Sequence, residues 1–429
     1  MSTMKFNLKK AIIVSIYLMV GVWIAYTFFR VRKTDEVVFN IGAGTEEIRF
    51  VKKLIEKFEG ENPAIKVTLN VLPAPTDQQH HYYITTLGTK STDIDVMRID
   101  TTWIAEFASA GWLESLDNYL NKEDRASFIP VTEKTNVFQG ALHAIPWDAN
   151  VGLLYYRKDL LERYKMKPPD TWGELIETSA KISDSESIYG YLWQGKQYEG
   201  LVCNFIEFMS SKNGGIIDNA GHIIIDSEQN TIMLDLMRDL IWKYRISPQN
   251  TYSELAEESS RHLFQQGKAL FLRNWTYVWE LCQEDPSMKG RVGVSQLPRL
   301  PEGKPASVYG GWHLAINAHS EKKEPAWRLI QFLTSYEAQK ELAIQVSWMP
   351  SRKALYKDPE LMEKLPFLPV VESALQDVQI RPTVPYYQWI SEILQKYVNK
   401  ALSNQISSKE ALKIIRAKLE EIKRDFTKN

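Results

Sequence analysis

Residues 37–72 read VVFNIGAGTEEIRFVKKLIEKFEGENPAIKVTLNVL, and the fold is decided within this stretch. VVFNI (37–41) has the apolar, β-branched make-up of a buried strand and runs into Gly42-Ala43-Gly44-Thr45-Glu46-Glu47. Val51, Leu54, Ile55 and Phe58 then recur at i, i+3, i+4 and i+7, one face of a helix. Asn62-Pro63 stops that helix, and IKVTLNVL (65–72) alternates as a second strand. Strand, helix and strand in 36 residues make a βαβ unit, which implies parallel pairing within an α/β fold.

Outward from this unit, Ile94–Ile99 is a third strand that ends at Asp100. A helix from Thr102 follows, with Trp103 and Phe107 facing inward and Gly111 as its C-cap. Ligands of open parallel sheets bind beyond the carboxyl ends of the strands, so Gly42–Glu47 and Asp100 are the segments to watch. Strands are expected at 152–156, 188–193, 267–273 and 314–316, with helices at 157–164, 174–182, 201–211, 233–244 and 254–266. The C-terminal third is largely helical. Its stripes Ile390, Leu394, Tyr397, Val398, Leu402 and Leu412, Ile415, Leu419, Ile422 read as packing faces.

Ala11–Phe29 is nineteen residues without a charge, enough to span roughly 30 Å of hydrocarbon as a helix. No small-x-small cleavage site precedes Arg30 and no cysteine lies nearby, so an uncleaved membrane anchor is expected, with a cleaved signal as the alternative. Three basic residues flank each side, so charge alone does not orient it. The remaining chain, about 395 residues, suits two lobes better than one core. Six of the 52 basic residues and no acid fall in residues 1–33, leaving 46 basic against 53 acidic residues, a balance that argues against nucleic acid. Cys203 and Cys282 sit among apolar neighbours and read as buried thiols, although the sequence leaves a disulfide open. No metal-ligand spacing, Walker motif, GxGxxG or GxSxG is present, so no metal, cofactor or catalytic apparatus is expected.

The unusual feature is aromatic: 13 Trp and 20 Tyr, several beside strand ends or turns. Trp275 and Tyr277 follow a strand in NWTYVW, and Gly311-Trp312 opens another after Gly310. Rings so placed suit the apolar C–H faces of a sugar. Its hydroxyls suit carboxylates and arginine, and Glu47, Asp100 and Arg381 fit that part. Each tryptophan alone is as readily an ordinary core residue. Asp100 and Asp148 could form a glycosidase pair only if they flanked one bond, and the sequence does not give their separation.

VFNIGAGTEEIRFVKKLIEKFEGENPAIKV resembles the opening of the family 1 extracellular solute-binding proteins of ABC transporters, as do GWLESLDNYL, HAIPWDANVGLLYYRKDLLERY and PPDTWGELIETSAKI. WQGKQYEGLVCNFIEF, FQQGKALFLRNWTYVW, YGGWHLAI and RPTVPYYQWISEILQKYVNKAL are similar to its trehalose/maltose-binding branch. The resemblance implies a two-lobe periplasmic-binding-protein-like fold of type II, with a hinge and an interlobe cleft, behind one N-terminal transmembrane helix. It divides the chain into 1–36 as anchor or signal, 37–148 plus 311–375 as N-terminal lobe, and 149–310 plus 376–429 as C-terminal lobe. Crossings fall near Asp148–Asn150, near Val308–Gly311 and between Leu375 and Pro385. The ligand-binding residues it implies are Glu47, Asp100, Asp148, Asn150, Trp275, Tyr277, Gly311, Trp312 and Arg381. Asn150 stands where relatives usually have Asp, Asp148 where an aromatic is common, and Gln79 or His80 where an Arg contributes. The implied protein is a monomeric, non-enzymatic receptor outside the cytoplasmic membrane. It passes a di- or oligosaccharide of trehalose/maltose type to permease subunits; a polyol or glycerol-phosphate solute is the alternative.

Overall fold

The protein is described by a computed structural model over residues 34–218 and 220–427. The apolar segment 11–29 and the anchor expected there lie outside these residues. Among the described residues no helix is long and apolar enough to cross a membrane.

Strands β1 (Asp35–Gly42), β2 (Ile65–Leu72), β3 (Val96–Asp100), β6 (Ile145–Asp148) and β11 (Trp312–Ile316) form one sheet in the order β2-β1-β3-β11-β6. A short hairpin, β4 (Val137–Phe138) and β5 (Ala141–Leu142), lies beside it. The second sheet runs β10-β7-β9-β8, from β7 (Leu153–Arg157), β8 (Tyr189–Leu192), β9 (Ala269–Asn274) and β10 (Val292–Ser295). β1 pairs in parallel with β2 and β3, as the βαβ reading requires. β11 is antiparallel to both β3 and β6, so the first sheet is mixed. β11 returns from the second sheet and enters between two strands laid down earlier.

The helix Thr45–Glu61 buries Ile48, Val51, Leu54, Ile55 and Phe58. These pack on Val37, Phe39 and Ile41 of β1, each such side chain contributing roughly 1.5–3 kcal/mol when fully buried. In the other lobe the helix Glu199–Ser210 is buried from Glu199 to Met209, the mark of a helix covered on all sides. The helix expected at 174–182 begins earlier, at Trp172, because Thr171 and Glu174 form a capping box and Trp172 stacks on Phe208 at 4.1 Å. The helix expected at 254–266 is two pieces, Thr251–Glu254 and Glu257–Gln265. Buried Leu255 is extended between them, and Ser259 hydrogen-bonds the Ala256 N–H to start the second piece.

The chain passes between the sheets after β6 and again before β11. Val151 bridges Tyr309, and Val308 bridges Gln379, so segments 149–152, 307–311 and 377–381 lie side by side. After β11, Trp327, Leu329, Leu342 and Val346 pack on the first sheet. Leu355, Leu361, Phe367 and Val371 instead share a cluster with Leu153, Tyr155 and Leu272 of the second. Cys203 and Cys282 are free and buried.

Candidate functional site

The site is assembled where strand ends of both sheets meet the connecting segments. In β11, Trp312 stands opposite Asp100 of β3 on one side and Asp148 of β6 on the other. Cross-strand partners share a sheet face, so one ring and two carboxylates occupy the same level. Arg98 is the diagonal neighbour of Trp312 and places its guanidinium carbon 4.0 Å from the ring centre. Arg98 donates to the Gly42 carbonyl at 2.5 Å and to Asp148 at 3.2 Å. Trp103 meets Trp312 edge-on at 5.6 Å. Glu47, in the first turn of its helix, lies within electrostatic reach of Arg98, and burial pushes its carboxyl above the usual range. Burial likewise pushes Asp148 up, to about 6, against the pull of the Arg98 guanidinium.

The second lobe contributes Trp275, two residues beyond Arg273 and immediately after the end of β9. The Arg273 guanidinium carbon is 4.0 Å from the Trp275 ring centre. Glu207 clamps Arg273 through bonds of 2.8 and 2.5 Å, and Gln194 accepts a third at 3.2 Å. Glu257 receives the Trp275 indole N–H at 3.4 Å and the Tyr198 hydroxyl at 2.6 Å. A Cβ on Gly310 would come 2.7 Å from Trp275, so only glycine lets the connecting segment pass this closely. The Tyr277 hydroxyl donates to Glu258, which also pairs with Arg261. Tyr277 and Leu281 face Glu47, Phe50 and Val346 of the first lobe across a crevice.

Polar links through Arg381 and Asn150 cross between the lobes at this site. Arg381, 2% exposed, donates to Glu199 at 2.9 Å and reaches Asp100 at 3.1 Å. Glu199 also accepts the hydroxyls of Tyr387 and Ser391. The second link is Asn150, which donates to Asp148 at 2.5 Å and accepts from Thr276. Asp77 faces Glu199, Glu257 and Glu392, with His80 nearby. Asp77 is exposed at the surface, yet desolvation by the protein packed around it, with those carboxylates adding, pushes its carboxyl up to about 6.

The structure therefore brings Asp100, Asp148, Asn150, Trp275, Trp312 and Arg381 into one contiguous network. Glu47 and Tyr277 face each other at its rim. Gly311 enters through its carbonyl, which accepts the Thr101 N–H at 3.2 Å, and it is Gly310, not Gly311, whose Cβ would meet Trp275. Arg381, Asp148 and Asn150 have side chains committed to protein partners. Sequence reasoning did not single out Arg98, Glu199, Glu207 or Arg273. For Arg98, Glu207 and Arg273 the signal is a charge inside an apolar run, VMRID, FIEFM and LFLRN, because a charge at a buried position needs a partner.

Two α/β lobes with a polar, aromatic-lined cleft at their connecting strands define a binding protein of the solute-receptor class. Residues 42–340 match the family described as bacterial extracellular solute-binding protein, and the chain belongs to that family. It is 34% identical to a probable ABC transporter-binding protein of Deinococcus radiodurans, over 90% of this chain and 92% of that one. It is 24% identical to a maltotriose-binding protein of Pyrococcus abyssi, over 79% of this chain and 71% of that one. The solved structure of maltose-bound MalE3 from T. maritima is similar at a TM-score of 0.86 and 40% identity, covering 90% of this chain and 99% of that one.

Proposed function

We propose that this protein is the extracytoplasmic receptor of an ABC importer and closes on an uncharged, hydroxyl-rich carbohydrate, a di- or oligosaccharide of maltose or trehalose type. The observation that carries this reading is the placing of two half-buried tryptophans, Trp312 and Trp275, at strand ends of different lobes beside one chain of carboxylates. Rings of this kind cover sugar C–H faces, while Glu47, Asp77 and Glu257 remain to accept hydroxyl protons. The cleft arginines 98, 261, 273 and 381 are each tied to a carboxylate, which disfavours a phosphate ligand. The ligands named for the maltotriose- and maltose-binding relatives agree with this choice.

The mechanism is closure of two half-sites. A ligand that bridges Trp312 and Trp275 interacts fully only when the lobes are together, so it shifts the population toward the closed form. Segments 149–152, 307–311 and 377–381 are the hinge in this reading. The first lobe comprises 37–148 and 311 to about Val346, and 355–374 packs between the lobes, sharing a cluster with β7 and β9 while Asp358 and Glu360 pair with Lys340 of the first. The closed receptor docks on membrane permease subunits, tethered by residues 1–33, and releases the sugar chemically unaltered. Titration calorimetry with maltose, trehalose and maltotriose tests the ligand class. Micromolar or tighter binding without product is the expected result, and silence across the sugars refutes it. A mature chain beginning after Lys33, by mass spectrometry, would end the tether.

A further inference from the structure

The two candidate platforms are built alike. In each lobe a buried arginine lies 4.0 Å beneath an indole ring and is held by a buried carboxylate: Arg98 with Asp148 under Trp312, Arg273 with Glu207 under Trp275. The routes are independent. In the first lobe arginine and ring are diagonal neighbours on adjacent antiparallel strands; in the second the ring stands just past the end of β9, two residues after the arginine. Stability does not explain either unit, since a buried ion pair can usually be exchanged for apolar side chains without loss. An arginine plane fixed by a carboxylate can, however, set the plane of a ring stacked on it, which a lysine cannot do. Asn150 joins the units, because its side chain donates to Asp148 and accepts from Thr276, the residue after Trp275.

We propose that Arg98 and Arg273 are positioning residues for carbohydrate binding: each occupies one face of its tryptophan and holds the ring in place before the ligand arrives. The inference rests on the sugar-receptor reading for its consequence, and on the stacking geometry for its cause. Fixing a ring beforehand removes an ordering cost from binding, so Arg273→Lys should weaken maltose binding roughly three- to tenfold while keeping the charge beside Glu207.

The test is a double-mutant cycle with maltose as the probe, read by calorimetry, with near-ultraviolet circular dichroism of the unliganded proteins alongside. Arg273→Lys should lower affinity in the parent chain and have no further effect on a Trp275→Leu background. Its difference spectrum should reproduce much of the indole signal that Trp275→Leu removes. An equal loss of affinity on both backgrounds overturns the proposal, because the arginine would then act on the ligand or on the fold. An unchanged spectrum overturns it as well. Arg98→Lys against Trp312→Leu repeats the cycle in the other lobe and decides the matter if Arg273→Lys does not fold. If the parent chain binds no sugar, the receptor reading fails by itself. The dichroism then still tells whether the arginines order the rings.

Discussion

Arg381→Met removes the one cation between Asp100 and Glu199, and its cost can be worked from the structure. The guanidinium is buried and engages Glu199 at 2.9 Å and Asp100 at 3.1 Å. Breaking a buried pair by deleting one partner costs about 3–5 kcal/mol, chiefly through the charge left behind. Here two carboxylates are left, but neither is bare. Asp100 keeps the Thr102 N–H at 2.8 Å and the Thr102 hydroxyl at 2.7 Å, and Glu199 keeps Tyr387 and Ser391. Those bonds bring the expected loss to roughly 2–4 kcal/mol, a large part of the 5–15 kcal/mol typical of a folded chain. Urea titration followed by tryptophan fluorescence measures it, by midpoint, because a two-lobe protein need not unfold in one step. On a Glu199→Gln background the same substitution should cost less than half as much, since a neutral amide leaves one charge fewer unpaired. A loss below about 1 kcal/mol, or the same loss on both backgrounds, refutes the reasoning that Arg381 serves as a buried counter-ion.

Trp312→Ala should weaken sugar binding by more than about tenfold, since it deletes an aromatic platform; unchanged calorimetric affinity in a folded variant takes Trp312 out of the site. Gly310→Ala should reduce affinity with little change in urea midpoint, because its Cβ would meet the Trp275 ring at 2.7 Å; retained affinity would show that the ring has room to shift. Asp77 has its carboxyl raised from 3.8 to about 6 in this arrangement of the lobes. Protonation therefore favours the arrangement: it gains as pH falls from about 6 toward 4 and loses as pH rises through about 6. Solvent screens much of the effect, so sugar affinity should be about two- to threefold higher at pH 5 than at pH 8, and Asp77→Asn should flatten that difference. Burial pushes both thiols up, Cys282 to about 12, so a maleimide should label neither native cysteine and both after denaturation without reductant; absence of labelling in denaturant would reveal a disulfide.

Much of this architecture was legible in local pattern. The opening βαβ unit is read from period and punctuation; of the expected strand-end segments, Glu46 and Glu47 line the crevice between the lobes and Asp100 pairs with Arg381. What was not legible depends on contacts far apart in sequence. Nothing near Trp312 says that it enters a sheet between β3 and β6, whose residues precede it by more than 160 positions. The break at Leu255 was hidden because its neighbours continue a helical period, and only burial of Leu255 decides it. The roles of Arg381 and Asn150 were also hidden. The resemblance implied ligand contacts, whereas their side chains here bind Asp100, Glu199, Asp148 and Thr276.

That difference bears on how a cleft of charges can serve a neutral ligand. Free arginines and carboxylates facing each other across a closing gap would pair directly and hold the lobes shut without a ligand. Here Arg98 and Arg273 are withdrawn beneath the rings, each matched to a carboxylate of its own lobe, and Arg381 lies in a connecting segment between Asp100 and Glu199. The acids outside those pairs include Asp77 of one lobe, within electrostatic reach of Glu257 and Glu392 of the other. Such acids repel when the gap is empty, and hydroxyl donors placed between them relieve the repulsion. Closure then depends on a hydroxyl-rich solute being present, as a receptor that signals occupancy to a permease requires.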